Sequence, residues 1–541
     1  MLPKSFAIAL LVASGLLTVH AQTQFSTYTG ISGFWDYQVS YRSPQYIRAC
    51  PGSSIIHAIM MVADDSLNTS ASRRTAYAFS SDGGTTWTTF NQLRVPDRKS
   101  GYPTLDIGQG SFGCDPIISN HGIVGSTLQS SIYIDDPPGN GVFTEVDPSL
   151  AFGGSDEPVF AEIAGTTNGS VVLLGSRLAA GTSHYTQTPD FISWLPWGIL
   201  TPDFVSDGFV AEANASGRVG VVLGSPFGPL SWFESTDNGS SWPSAPTEIV
   251  PAEIPVGSDT FVVLQGLDLV YPASDTMIAF GTTKLVEGNP TSRDEGIGFW
   301  SESTGFVLAV PHDSLPGIVD TLVKHQVNQN TITCPAIGMS GSTIVIAFQA
   351  FMPETSASGF NYSDIFYTYS RNGGRNWSHP TNITRTPSLD ERYPSISKWN
   401  NPGDANIVFQ EDPQPGSAVF GNDHSPLAMV RQKFVRISGL PTGVNEPQAS
   451  APTGFSLEQN YPNPFNPATV IQYTISVGTR HAVSLHVYDV LGREVATLVN
   501  GIEMPGNKSV VWDASGMASG VYYYRLQADD FVQTKKLILM K

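Results

Sequence analysis

A short motif, Ser-x-Asp-x-Gly-x-x-Trp, recurs at long intervals and constrains the fold more than any other feature of this chain. The three clear copies are SSDGGTTW from Ser80, STDNGSSW from Ser235 and SRNGGRNW from Ser370. TPDFISW at 188–194 and SESTGF at 301–306 are degraded copies. Self-similarity at long intervals indicates a repeat architecture.

A second repeated element accompanies the motif. Seven segments, most with a proline near the start, run through a polar turn into an apolar strand. They begin at Arg42, Gly101, Asp156, Asp207, Asp259, Thr333 and Arg392. Most starts lie about 50 to 60 residues apart, which leaves room for four short strands in each unit. A four-stranded sheet repeated around an axis is a β-propeller blade, so the sequence predicts an all-β propeller. Seven blades are favoured and six are the alternative, because the Asp259 start is weak.

The motif itself is interpreted as a structural turn. Its carboxylate can accept backbone N–H bonds, its glycine adopts angles other residues avoid, and its tryptophan packs as an apolar plug. The motif resembles the Asp-box, or bacterial neuraminidase repeat, of the sialidase superfamily. That resemblance implies a hairpin between the outer strands of a blade, without a catalytic role. The residues assigned to it are Ser80, Asp82, Gly84, Trp87, Ser235, Asp237, Gly239, Trp242, Ser370, Asn372, Gly374 and Trp377.

The composition changes after residue 438. Residues 439–454 are rich in Pro, Gly, Ser and Ala and predict a linker. Residues 455–541 alternate apolar and polar positions, which predicts a small immunoglobulin-like β-sandwich. Their motifs NYPNPFNP from Asn460, LGR from Leu491 and GVY from Gly520 resemble the type A sorting domain of the type IX secretion system. The resemblance implies recognition by that machinery and passage across the outer membrane of a Bacteroidetes–Chlorobi-type bacterium.

The first 21 residues predict a secretory signal peptide. Lys4 precedes an apolar run at 6–17, and Val19-His20-Ala21 forms a small-x-small cleavage site. The predicted propeller therefore spans 22–438, and the protein is expected outside the cell or on its outer surface, without a transmembrane helix. A net charge of -19 would repel phosphate backbones, so no nucleic-acid partner is expected.

Three cysteines, Cys50, Cys114 and Cys334, are too widely spaced for a zinc site. Buried, inert thiols are favoured over one disulfide plus a free thiol. His57 lies among apolar neighbours and predicts a core histidine. IDDPPGNG offers Asp135 and Asp136 either as calcium ligands or as part of an ordinary turn; no other cofactor is expected.

The sialidase resemblance implies an arginine clamp on a substrate carboxylate, because a planar guanidinium binds a carboxylate by two parallel bonds. Tyr41-Arg42-Ser43-Pro44 matches the family's Phe/Tyr-Arg-Ile-Pro motif except at its third position. Arg392, in Arg-Tyr-Pro, is the second candidate. The remaining candidates for a third arginine are Arg48, Arg177 and Arg218, and no motif chooses among them.

The family's acid, nucleophile and base are less clearly matched. Asp64 and Asp65 follow the second predicted strand, where the family places its acid, while Tyr393 and Glu157 are suggested by position alone. The family's arginine after the second strand is absent from MVADDS. Structural ion pairs are therefore favoured for Arg42 and Arg392, and a solvated loop for the aspartates.

The sequence is compatible with three functions. The favoured one is an exported propeller that binds glycan or protein through its central funnel. The others are a sialidase-like exo-glycosidase acting on acidic sugars and a non-catalytic envelope scaffold or adhesin.

Overall fold

Short antiparallel strands make up almost all of the regular structure. The computed structural model describes residues 22–38, 41–108, 113–201, 208–315, 317–319, 330–419, 427–442, 455–460, 463–475, 481–503, 506–528 and 531–540. The chain divides into two compact units, Met1–Thr442 and Gly443–Lys541. The predicted signal peptide lies outside the described residues.

The described residues of the first unit form seven sheets, which confirms the predicted all-β propeller fold. Blade 1 holds β2 (Ile47–Ala49), β3 (Ile56–Ala63) and β4 (Arg73–Ser80); blade 2 holds β5 (Ser100–Ile107), β6 (Pro116–Val124), β7 (Thr127–Asp135) and β8 (Phe143–Val146). Blade 3 holds β9 (Val159–Gly165), β10 (Val171–Arg177), β11 (Thr182–Thr188) and β12 (Gly198–Thr201). Blade 4 holds β13 (Phe209–Ala213), β14 (Val219–Leu223), β15 (Leu230–Ser235) and β16 (Thr247–Val250).

The remaining blades are larger or include the chain's first strand. Blade 5 holds β17 (Glu253–Val256), β18 (Asp259–Val270), β19 (Met277–Val286), β20 (Asn289–Ser301) and β21 (Gly305–Val310). Blade 6 holds β22 (Ile332–Ser340), β23 (Thr343–Thr355), β24 (Asn361–Ser370), β25 (Thr381–Asn382) and β27 (Trp399–Asn400). Blade 7 holds β26 (Asp390–Ile396), β28 (Asp404–Asp412), β29 (Val430–Ser438) and β1 (Thr23–Gly33). Within its described residues, the unit also contains one helical turn, α1 (Thr69–Ser72), and a 3-10 turn, His312–Ser314.

The blades close into a ring. Each innermost strand contacts the innermost strand of the next blade, in the order β2, β5, β9, β13, β18, β22 and β26, and β26 contacts β2. Strand β1 pairs with β29 from Thr23↔Ser438 to Gly33↔Val430, so the start of the propeller completes its last blade. The face where the innermost strands begin is called the front face, and the face where they end is called the back face.

The motif copies form the turns after the third strands, on the back face. Ser80 Oγ accepts the Gly84 N–H at 2.8 Å, and Asp82 Oδ1 accepts the Thr86 N–H at 2.8 Å. Trp87 packs against Phe434 of blade 7, with ring centroids 5.2 Å apart. A Cβ on Gly84 would lie 2.2 Å from the Phe434 ring, which explains why the turn requires glycine there.

The other two clear copies repeat this arrangement. Trp242 packs against Tyr185 of blade 3 at 5.6 Å, and Trp377 packs against Phe299 of blade 5 at 5.2 Å. Each tryptophan thus joins its own blade to the third strand of the preceding one. In the third copy, Asn372 Oδ1 accepts the Asn376 N–H at 3.0 Å, so asparagine substitutes for aspartate as an acceptor.

The second unit is a two-sheet sandwich. One sheet holds β30 (Ser456–Leu457), β31 (Ala468–Ile475) and β34 (Gly506–Asp513); the other holds β32 (His481–Tyr488), β33 (Glu494–Glu503), β35 (Gly520–Ala528) and β36 (Phe531–Leu539). Trp512 packs against Phe465 and Tyr522 in its core. Asn463, in the NYPNPFNP segment at the start of this unit, accepts the Ile538 N–H at 2.9 Å. This hydrogen bond connects the segment to β36, the last strand of the sandwich.

Two predictions differ from the structure. Leu440 is buried in the propeller core and the propeller unit extends to Thr442, so it ends four residues beyond the predicted boundary at 438. Cys50 and Cys114 form a disulfide, so the favoured prediction of three inert thiols was wrong. The bond joins loops of blades 1 and 2 that meet at the back face, a proximity that sequence spacing cannot reveal. Cys334 is a buried free thiol.

Candidate functional site

Buried charged side chains fill the propeller axis. Arg48 Nε on β2 lies 3.1 Å from Asp106 Oδ1 on β5, and Arg48 Nη2 lies 3.6 Å from Glu212 Oε2 on β13. Lys398, just after β26, pairs with Asp268 on β18. All five groups are buried. They link the innermost strands of blades 1, 2, 4, 5 and 7.

Backbone donors bring the two remaining blades into this network. Asp106 Oδ2 accepts the Gly165 N–H of blade 3 at 2.7 Å, and Asp268 Oδ2 accepts the Ile337 N–H of blade 6 at 2.8 Å. Burial raises the pKa of Glu212 to about 8 and lowers the pKa of Lys398 below its ordinary value. The network therefore satisfies its charges internally and binds the seven blades together.

Residues 41–45 cover the front end of the axis. The Ser43 N–H donates to Leu267 O at 3.0 Å, and the Gly266 N–H donates to Tyr41 O at 3.0 Å. On the opposite side, the Leu105 N–H donates to Gln45 O at 3.0 Å. Among the described residues, this segment therefore lies between blades 2 and 5, where the sequence predicted a ligand-binding funnel.

Arg42 and Arg392 lie in separate buried networks. Arg42 pairs with Glu162 on β9 and donates to Ala161 O at 3.3 Å. Arg392 Nε lies 2.9 Å from Asp390 Oδ2, and its Nη2 donates to Asp36 O at 3.1 Å and to Gly416 O at 2.7 Å. Both guanidiniums are at most 2% exposed.

The candidates for a third arginine do not join them. Arg48 belongs to the axial network. Arg177 Nη2 lies 3.3 Å from Asp156 Oδ2, and Arg218 Nη1 lies 3.2 Å from Glu234 Oε1. Each of these arginines pairs with a carboxylate of the protein, so no clamp of three convergent guanidiniums forms among the described residues.

The other sequence candidates are also engaged in local structure. Asp64 Oδ1 lies 2.7 Å from Arg94 Nη2 at the surface, and Asp65 Oδ1 accepts the Leu67 N–H at 2.8 Å. Glu157 accepts the N–H groups of Phe152 and Gly154, both at 2.9 Å, in the loop before β9. The candidate Glu157 is therefore on blade 3, whereas the candidate Tyr393 is on blade 7.

Tyr393 is buried beside Arg392, whose Cζ lies 5.0 Å from its ring centroid. Its backbone is left-handed, with φ of 57°, and burial raises the pKa of its hydroxyl. Among the described residues, this hydroxyl has no hydrogen-bond partner. It can therefore be removed without breaking a described hydrogen bond.

The calcium candidate forms a turn. Asp135 accepts the N–H groups of Gly139, Gly141 and Val142 at 3.0–3.1 Å, and Asp136 beside it is exposed. In the described ranges, no three His, Cys, Asp or Glu side chains are grouped to hold a metal ion. His57 is fully buried, with Nδ1 2.9 Å from Tyr77 Oη.

A cavity of about 200 Å³ opens at the front face between blades 1 and 2. Arg73, Lys99 and His121 line it, together with the exposed apolar side chains of Ile123 and Leu128. None of the site residues predicted from the sequence lines this cavity. Its signal was a local excess of basic residues in an acidic chain: Arg73, Arg74, Arg94, Arg98 and Lys99.

Comparison with known families identifies the second unit. Residues 459–540 match the secretion system C-terminal sorting domain. This unit is therefore a sorting domain of the type IX secretion system, and the chain is a propeller exported to the cell surface or medium of a Bacteroidetes-type bacterium. No helix in the described part of the chain is both long and apolar enough to cross a membrane.

Several solved structures align with this chain at low sequence identity. A polysaccharide lyase of family PL25, an ulvan lyase, is 10% identical, covers 75% of this chain and 94% of its own, and has a TM-score of 0.46. The Trypanosoma rangeli sialidase bound to the inhibitor DANA is 9% identical, with coverages of 96% and 89% and a TM-score of 0.39. The Penicillium chrysogenum α-L-arabinanase bound to arabinobiose is 12% identical, with coverages of 76% and 98% and a TM-score of 0.37. No curated protein matches the chain in sequence.

Proposed function

We propose that this protein is an exported propeller that binds a glycan or a protein on its front face without hydrolysing it. The observation that carries the proposal is the internal pairing of Arg42 and Arg392. A sialidase-type clamp needs guanidiniums free to pair with a ligand carboxylate. Here each guanidinium faces a buried carboxylate of the protein, and breaking such a pair costs about 3–5 kcal/mol.

The two faces of the propeller differ in what they offer a ligand. The back face carries the motif turns, whose polar groups bond to one another and whose tryptophans pack between blades. The front face carries the cavity between blades 1 and 2 and its basic residues. Binding on the front face therefore leaves the inter-blade contacts of the back face undisturbed.

Sialoside hydrolysis and ligand binding, measured on the same full chain, test this proposal. We expect no release of sialic acid above the uncatalysed rate, and saturable binding to at least one glycan or surface protein. Tyr393→Phe is the matched variant because it removes only a hydroxyl without a described partner. Hydrolysis by the native chain that Tyr393→Phe abolishes would overturn the proposal in favour of the sialidase alternative.

A further inference from the structure

Unpaired positive charge collects at the front face of blades 1 and 2. Arg73 and Lys99 make no ion pair among the described residues: Arg73 Nε donates to Ser100 O at 2.9 Å, and Lys99 Nζ donates to Ser70 Oγ at 3.3 Å. The nearby Arg98 pairs with Glu145. On a chain of net charge -19, two neighbouring cations without a described carboxylate partner offer a place for an anionic group to bind.

The guanidinium of Arg73 is held in place before any ligand arrives. Its Cζ lies 5.0 Å from the Trp35 ring and 5.4 Å from the Tyr102 ring. Gly101 permits this position, since a Cβ there would lie 2.5 Å from the guanidinium. A guanidinium fixed between aromatic rings loses little conformational entropy when it binds an anion.

An aromatic surface continues from Arg73. Tyr102 and Phe160 are half-buried, with ring centroids 5.0 Å apart, and both have left-handed backbones, with φ of 51° and 56°. The same left-handed backbone occurs at Tyr393, at the matching register shift of β26, so this conformation belongs to a bulge that the innermost strands repeat. His121 contacts both rings, and its Nδ1 accepts the Phe160 N–H at 3.0 Å, which places its proton on Nε2.

We infer that the cavity and the adjoining aromatic surface together bind an acidic sugar unit of a polysaccharide. Arg73 and Lys99 would contact its carboxylate or sulfate, and Tyr102 and Phe160 would pack against the sugar ring. The inference rests on the proposed function and names its ligand class. Cationic side chains pair with the anionic group, and aromatic rings pack against the apolar C–H face of a sugar. The cavity is smaller than the ~300–1,000 Å³ of typical small-molecule pockets, so it fits one unit of a chain that continues across the front face.

Binding of the full chain to four polymers at low ionic strength tests the inference. Polygalacturonate supplies carboxylates on sugars, dextran sulfate supplies sulfates, dextran is neutral, and polyglutamate carries carboxylates without sugar. We expect binding to polygalacturonate or dextran sulfate, or both, to be at least about tenfold tighter than to dextran and polyglutamate. That ratio corresponds to one charge-assisted contact.

Charge-matched variants locate the site. Arg73→Ala/Lys99→Ala removes two cations from the front face, and Arg371→Ala/Arg375→Ala removes two exposed cations from the back-face turn of blade 6. The front-face pair should weaken acidic-polymer binding by about tenfold or more, whereas the back-face pair should change it less than about twofold. Lys99→Ala alone, at an exposed position, should weaken binding without altering the thermal unfolding curve.

Other outcomes separate the inference from the proposed function. If dextran binds as tightly as the acidic polymers and the front-face variant binds normally, the inference fails while the proposed function stands. Equal binding of polyglutamate overturns the sugar assignment and favours an acidic protein ligand. If no polymer and no surface protein binds to the native chain, both the inference and the proposed function fail.

Discussion

Arg42, on the segment that leads into blade 1, and Glu162, on β9 of blade 3, form an ion pair in which both side chains are at most 2% exposed. The arginine with the strongest sequence resemblance to a sialidase clamp is therefore a structural link between blades. Its position also explains why a nearly complete motif match does not by itself establish a catalytic site.

Replacing Arg42 should destabilise the propeller. Arg42→Met leaves the Glu162 carboxylate buried without its cation, which costs about 3–5 kcal/mol. The double variant Arg42→Met/Glu162→Leu should recover most of that loss, because no uncompensated charge remains. Denaturant unfolding of the full chain measures both changes. Native stability in Arg42→Met, together with lost ligand binding, would show instead that Arg42 contacts ligand.

The Cys50–Cys114 disulfide should stabilise the junction of blades 1 and 2. The bonded residues are 64 positions apart, and closing a loop of that size contributes about 4 kcal/mol in the chain-entropy description. Cys50→Ala/Cys114→Ala should lower the free energy of unfolding by this order. Cys334→Ala is the control, because Cys334 forms no disulfide. Equal unfolding curves with and without reductant would contradict the assignment.

The axial network should make stability depend on pH. Burial raises the pKa of Glu212 from its ordinary value of 4.5 to about 8, so between these values the native state retains a proton that the unfolded chain releases. This contribution to stability is complete at low pH and is lost as pH rises through about 8, with a slope of at most about 1.4 kcal/mol per pH unit. Glu212→Gln cannot titrate. The free energy of unfolding of the native chain, relative to that of this variant, should therefore fall from pH 5 to pH 8. If the two free energies instead change in parallel with pH, the pKa of Glu212 is not raised.

The motif turns should tolerate asparagine but not alanine. Asp82 accepts bonds from the Thr86 N–H and hydroxyl at 2.8 and 2.7 Å, and these bonds lower its pKa to about 2. Asn372 makes the equivalent backbone contact in the third copy. Asp82→Asn should therefore melt close to the native temperature, and Asp82→Ala should melt lower. A lower melting temperature for Asp82→Asn equal to that of Asp82→Ala would show that the negative charge is required.

Local repetition made the fold predictable from sequence. The residues of each motif form hydrogen bonds with residues only a few positions away. Each of the seven repeated segments leads into an innermost strand, and these strands pack in the same way. The start at Asp259, the weakest by pattern, begins β18, which joins the ring between β13 and β22. Strand β17, added in front of it, obscured the four-stranded pattern.

The site depended on contacts between distant residues, which one sequence does not reveal. Arg42 meets Glu162 across 119 intervening positions, and Lys398 meets Asp268 across 129. Arg73 and Lys99 come together only because β4 and β5 both begin at the front face. The sequence shows that basic residues are unusually frequent in this part of an acidic chain, but it does not show that Arg73 and Lys99 lack carboxylate partners.

The most direct test of binding without turnover is a calorimetric titration of the full chain with its tightest-binding glycan, followed by mass analysis of the recovered ligand. We predict saturable heat and a ligand of unchanged mass after prolonged incubation. Continuing heat after saturation, with shortened or modified glycan among the recovered material, would contradict the account and make this propeller an enzyme.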